Sequence, residues 1–283
     1  SFRRTMNQPL TKTPRIEVVD ALRGFAVMAI ILVHNLEHFI FPVYPEHSPE
    51  WLNILNQGVF HGFFALFAGK AYAIFALLFG FTFYIQSNNQ KKQGKDFGYR
   101  FLWRLILLAG FATLNAAFFP AGDVLLLFVV VGIVLFLTRN WSDKMIFFAA
   151  IFFLIQPIEW YHYIANLINP AHQLPDLSVG AMYNEVAEIT KTGNFWDFIC
   201  CNVTLGQKAS FLWAVNAGRF MQTAGLFLLG FYIGSKQLFV TTERNLRFWT
   251  KALIIGAISF APLYTLKEVI MQNDAIIKQT VGT

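Results

Sequence analysis

Charge is scarce in this sequence. Only 13% of its 283 residues are Asp, Glu, Lys or Arg, while 56% are hydrophobic and mean hydropathy is +0.49. A soluble domain carries about a quarter charged residues. That excludes an ordinary soluble domain and points to an all-α, polytopic membrane protein, to which length-based domain counting does not apply. Cysteine is nearly absent too: there are two, and they adjoin, as Cys200 and Cys201. Adjacent cysteines bridge only with strain, so no disulfide framework is expected. A cleavable signal peptide is not expected either, because the first hydrophobic segment begins too far in and is too polar along one face. The net charge of +6 does not imply nucleic acid. In a membrane protein, excess Lys and Arg mark the cytoplasmic loops.

What the sequence has in quantity is apolar runs, with 32 phenylalanines among them. The pattern predicts about seven transmembrane helices, over roughly 16–41, 69–86, 99–119, 124–137, 145–163, 211–233 and 249–270. Two interfacial amphipathic helices are expected over 52–67 and 195–212. Residues 1–15 read as a tail, 16–270 as one transmembrane domain with a long outer loop at 166–210, and 271–283 as a second polar tail. The N-terminus and segments 87–98, 138–144 and 236–247 are rich in Lys and Arg, whereas 43–68, 120–123 and 166–210 are not. This alternation is the positive-inside pattern of an odd number of spans with a cytoplasmic N-terminus. Amphipathic pieces before the second and sixth spans hint at an internal repeat.

The first span carries the strongest functional signal. Charges within a bilayer are costly and are usually kept for a function. Arg23 and His34 lie eleven residues apart, about three turns or 16 Å along one helix face. Asp20 and His38 join that face, and Glu37 sits at its edge. Other intramembrane polar groups are Lys70, Arg100, Arg104, Asn115, Asp123, Glu159, Asn216, Arg219 and Gln222.

Several stretches resemble the YeiB-like family of bacterial inner-membrane proteins, also known as domain of unknown function 418. They are Arg15-Ile-Glu-Val-Val-Asp20-Ala-Leu-Arg23-Gly-Phe-Ala, Ala68-Gly-Lys70 through Gly80, Gly122-Asp123-Val-Leu, and Gly218-Arg219 followed by Gly225 to Gly234. That family is similar to the transmembrane acyltransferases, including the OafA-like O-acyltransferases and the lysosomal heparan glucosaminide acetyltransferase. OafA-like proteins carry Arg, ten residues, then His in the first span, a spacing that Arg23 and His34 fit. Many YeiB-like members have Asn at the position of His34. The resemblance implies an acyl-CoA donor and a sugar or lipid-linked acceptor, with membrane lipid around the protein.

In acyl transfer a neutral His34 would take the nucleophile's proton or carry the acyl group. Arg23 would hold a phosphate of the donor, with Asp20 orienting it. Asp20 and Arg23 also read as a helix-end ion pair, and His34 as a packing residue. Arg100 and Arg104, one turn apart, suit a phosphorylated donor or lipid head groups, or simple interfacial snorkelling. Lys70 and Arg219 suit an anionic substrate, or a pairing with Asp123 or Glu37 between helices. His34-Asn-Leu-Glu37-His38 also has the His-x-x-Glu-His form of inverted zinc peptidases. The motif is short and needs a third ligand, for which His61 is a candidate, and no metal is expected. A transporter of a small anion or lipid, and an accessory subunit of a larger membrane complex or homo-oligomer, are the alternative functions.

Overall fold

The computed structural model describes residues 16–36, 48–67, 69–119, 124–169, 172 and 176–271. Every regular element among them is helical. The elements are α1 (Glu17–Asn35), α2 (Glu50–Phe67), α3 (Lys70–Lys92), α4 (Gly98–Phe118), α5 (Leu125–Thr138), α6 (Asp143–Leu154) and α7 (Pro157–Ile168). After them come α8 (Val179–Thr192), α9 (Phe195–Cys201), a π-helical turn (Asn202–Gly206), α10 (Gln207–Asn216), α11 (Arg219–Ser235) and α12 (Glu243–Met271).

Local chemistry sets several of these boundaries. Ser142 caps α6 by accepting from the Met145 amide, and Asn194 opens α9 with a reciprocal capping box through Asp197. Both satisfy amides that a helix start leaves orphaned. The stretch expected as one span over 145–163 is instead two helices, α6 and α7, meeting at 41°. Gln156, between them, is left-handed at φ 57° and precedes Pro157. A residue before proline is disfavoured in the α region, so the helix breaks there.

Among the described residues α3, α4 and α12 are long and apolar enough to cross a membrane, and the bent α6–α7 pair adds a fourth if it is one span. That is fewer than the seven expected from the apolar runs. The apolar helix α5 has only 14 residues and α11 has 17, against about 20 for a straight crossing. The second amphipathic piece, expected over 195–212, is α9, the π-turn and α10 in succession.

The core is built on α3 and α11. Tyr72 bonds to Thr223, and Tyr84 lies against Gly234, so the two helices run parallel. Without a hydrophobic force between helices in lipid, close packing does the work, and small residues allow it. A Cβ on Gly80 would lie 1.8 Å from the Phe227 carbonyl oxygen, and one on Gly230 would lie 1.9 Å from that of Leu77. Each helix thus offers a glycine to the other's backbone. Phe79 stacks on Phe227, and Phe83, Phe101, Phe128 and Phe231 close the core with α4 and α5. On the other side of α3, α1 runs antiparallel: Ile16 adjoins Ile85, and Arg23 reaches Thr82.

Candidate functional site in the cleft between α1, α3 and α4

The polar end of α1 faces a cleft. Arg23 donates through Nη1 to Asp20 Oδ1 at 3.1 Å and through Nη2 to Thr82 Oγ1 at 2.6 Å. The guanidinium is therefore braced by its own helix and by α3. The Arg23 side chain remains 42% exposed, so it is held in place and still open to a ligand. One turn along α3, Gln86 accepts a hydrogen bond from Arg104 of α4. Both arginines line a cavity of about 330 Å³, whose other walls include Phe75, Phe79, Leu105, Leu108 and Phe111.

Gln86 and Arg104 are shared with a second, wider hollow of about 730 Å³, where Arg100, Tyr99 and Trp103 stand with the amides of Asn89, Gln90 and Gln93. Three guanidiniums thus follow one another from the apolar cavity to an amide-lined mouth. An exposed apolar face of α1 runs from Arg23 past Val27 and Met28 to Ile31 and Leu32. His34 is half-buried in the last turn of the same helix. Because α1 and α3 are antiparallel, His34 comes level with the first turn of α3, about 16 Å from Arg23.

The structure therefore gathers Asp20, Arg23, Arg104 and, at the mouth, Arg100. It places Lys70 and Arg219 elsewhere. Lys70 lies over the Phe260 ring of α12 at 5.8 Å. Arg219 sits over the rings of Tyr72 and Trp213 and donates to Gln222 Oε1 at 2.7 Å. Glu37, His38 and Asp123 lie outside the described residues, so their pairing with Lys70 or Arg219, and the metal pattern with His34, stay expectations. Among the described residues no group of three His, Cys, Asp or Glu stands together.

Thr82 and Gln86 are the residues that the sequence reading passed over. The signal was present: two polar side chains four apart, hence on one face, inside an apolar run. A further polar junction joins the two helix breaks. Glu159 is 5% exposed, and its Oε1 would lie 2.6 Å from a Cβ on Gly218, the left-handed residue (φ 65°) that opens α11. A carboxylate at a helix start is favoured by the helix dipole.

The family profile of the heparan-alpha-glucosaminide N-acetyltransferase catalytic domain matches residues 15–170, more than half of the chain. The chain belongs to that family. The match takes in α1 to α7, and so includes the whole arginine cleft and His34. Among curated relatives of this acetyltransferase-family chain, the uncharacterised protein YxaH of Bacillus subtilis strain 168 is 31% identical over 153 residues, 48% of this chain and 36% of that protein. An uncharacterised 39.9 kDa protein from the amylase 3′ region of Bacillus acidopullulyticus is 30% identical over 128 residues, 45% of this chain and 35% of its own length. The chain thus spans about a third of the length of these curated relatives. No solved structure matches it.

Proposed function

We propose that the protein is a membrane acyltransferase that takes an acyl group from an acyl-CoA and passes it to an envelope sugar or lipid-linked acceptor. The observation that carries the reading is the convergence of Arg23 and Arg104, from different helices, on one cleft in a chain of the acetyltransferase family. Forked guanidiniums match phosphate oxygens bidentately. In this reading Arg23, Arg104 and Arg100 hold the donor's phosphates at the basic end, and Asp20 keeps Arg23 oriented. The thioester reaches along α1 to His34.

There the acceptor hydroxyl or amine attacks the thioester carbonyl. A C–O or C–N bond forms, the C–S bond breaks, and His34 takes the acceptor's proton and returns it to the departing thiolate. Glu37 and His38, if they stand beside His34 as the helical spacing predicts, tune its basicity. Lys70, Asp123 and Arg219 belong to the acceptor side. No metal takes part.

The remaining features of the reading follow the sequence. The protein is YeiB-like and crosses a bacterial inner membrane about seven times as one domain over 16–270, flanked by polar tails, with a cytoplasmic N-terminus and lipid around it. Its partners are the glycan or lipid-linked acceptor and a second copy or larger membrane complex, not nucleic acid. The test is transfer of labelled acyl groups from acyl-CoA to envelope glycans by membranes containing the wild type, His34→Ala or Arg23→Ala. Loss of product in both variants, at equal protein level, is the expected result. Unchanged transfer with His34→Ala would sink it. Uptake of a small anion that responds to Arg23, with no acylated product, would establish the transporter alternative.

A further inference from the structure

Thr82 and Gln86 divide the two arginines of the cleft between them. Thr82 accepts from Arg23 of α1, and Gln86 accepts from Arg104 of α4. Four residues of helix separate the two acceptors by about 6 Å along the axis of α3. α3 therefore works as a rail that sets two forked cations side by side. Among the described residues that line the 330 Å³ cavity none is acidic, so the charge there is open to an anion. Asp20 takes one edge of Arg23 from below and leaves the Thr82 side directed at the cleft.

A diphosphate has two groups of non-bridging oxygens, and each can accept a guanidinium through two hydrogen bonds. A single phosphate has one such group and engages half of this arrangement. Behind the cations the walls are Phe75, Phe79, Leu105, Leu108 and Phe111. A hydrocarbon tail is at home there, whereas an unpaired polar group would be penalised.

We propose that the cleft is a diphosphate clamp, with Thr82 and Gln86 as its positioning residues, and that it takes a diphosphate ester whose apolar portion fills the cavity. The inference rests on the reading of the cleft as a phosphate-binding site and adds which phosphate chemistry it selects. An isoprenoid diphosphate lipid carries both parts of that chemistry, whereas the nucleotide end of an acyl-CoA carries the diphosphate but brings polar groups to the apolar walls.

The test uses the full chain in detergent, with binding of inorganic diphosphate and inorganic phosphate measured by calorimetry. Diphosphate should bind about tenfold more tightly or better, the effect of one added charge-assisted hydrogen-bonded contact. Equal affinity would overturn the clamp. Thr82→Val and Gln86→Leu should each remove about tenfold of the diphosphate affinity and leave phosphate binding nearly unchanged. A merely structural role would lower both together. Gln86→Glu, which keeps the side-chain length and puts an acid against Arg104, should abolish the preference, and it serves where Gln86→Leu fails to fold.

The source is read by displacing bound diphosphate with coenzyme A or with farnesyl diphosphate. Displacement by farnesyl diphosphate supports the proposal, and displacement by coenzyme A alone would overturn the apolar-tailed ester. Displacement by neither would overturn the assignment of a tailed ester. Diphosphate preference without any acyl transfer would refute the acyltransferase reading alone. His34-dependent transfer without diphosphate preference would refute the clamp alone.

Discussion

Arg23 of α1 donates to Thr82 of α3 at 2.6 Å across 59 positions of sequence. This bond joins the polar stripe of the first helix to the core helix of the fold, and it fixes which way the guanidinium points. Arg23→Lys keeps the charge and loses the fork, so it cannot hold Thr82, Asp20 and a ligand together. Acyl transfer should fall about 10- to 100-fold, the worth of one or two charge-assisted bonds, while thermal stability in detergent stays close to that of the wild type. Kinetics beside a melting curve separates the two effects.

The reciprocal glycines of α3 and α11 give a packing prediction. Gly80→Ala puts a methyl group 1.8 Å from the Phe227 carbonyl oxygen, a backbone atom that moves only if the helices part. Overpacking of this kind costs about 1–3 kcal/mol, and the melting temperature in detergent should drop accordingly. Gly110→Ala is the comparison, since nothing lies within 4 Å of a Cβ there. It should match the wild type or slightly exceed it, alanine being the better helix former.

The two cysteines should differ in reactivity. Cys200 is exposed and Cys201 is buried. Burial pushes the Cys201 thiol up, and the nearby Glu185 adds to this. The thiolate is the reactive form, so maleimide at neutral pH should label one site, Cys200. Cys200→Ser should leave the folded protein nearly unlabelled, and a second equivalent should react only on denaturation.

Lys236, just past the end of α11, donates to Asp143 Oδ2 at 2.6 Å. That hydrogen bond raises the lysine pKa above its ordinary value, against a smaller opposing effect of desolvation. A raised folded-state pKa contributes stability that is fully present below the unfolded value, about 10.4 for lysine, and is lost as pH rises through the folded value. The melting-temperature gap between wild type and Lys236→Met should therefore stay level from about pH 7 to pH 10 and close above that range. A gap that already closes below pH 9 would place the linkage on another group.

The share of the fold that was legible in the sequence is the part that periodicity governs. The apolar runs at 69–86 and 99–119 became α3 and α4, because a helix is a local structure whose face repeats every few residues. The break at Gln156 was also written locally, in the restriction that Pro157 places on its predecessor. An apolar run read only for hydropathy hides such a break, since both halves are greasy.

The sequence by itself therefore determined the membrane class, the all-helical fold, and a first helix with Asp20, Arg23 and His34 on one face. Hydropathy and the 3.6-residue period are properties of a chain segment alone. Only the tertiary structure decided which charges share a site. Arg104 joined Arg23 because α3 lies between α1 and α4 and offers Thr82 and Gln86 to them. Arg219, with an equal claim on sequence, turned to Tyr72 and Trp213. A guanidinium takes the partners that helix packing brings within reach, and that packing was set by the glycines and phenylalanines of the core.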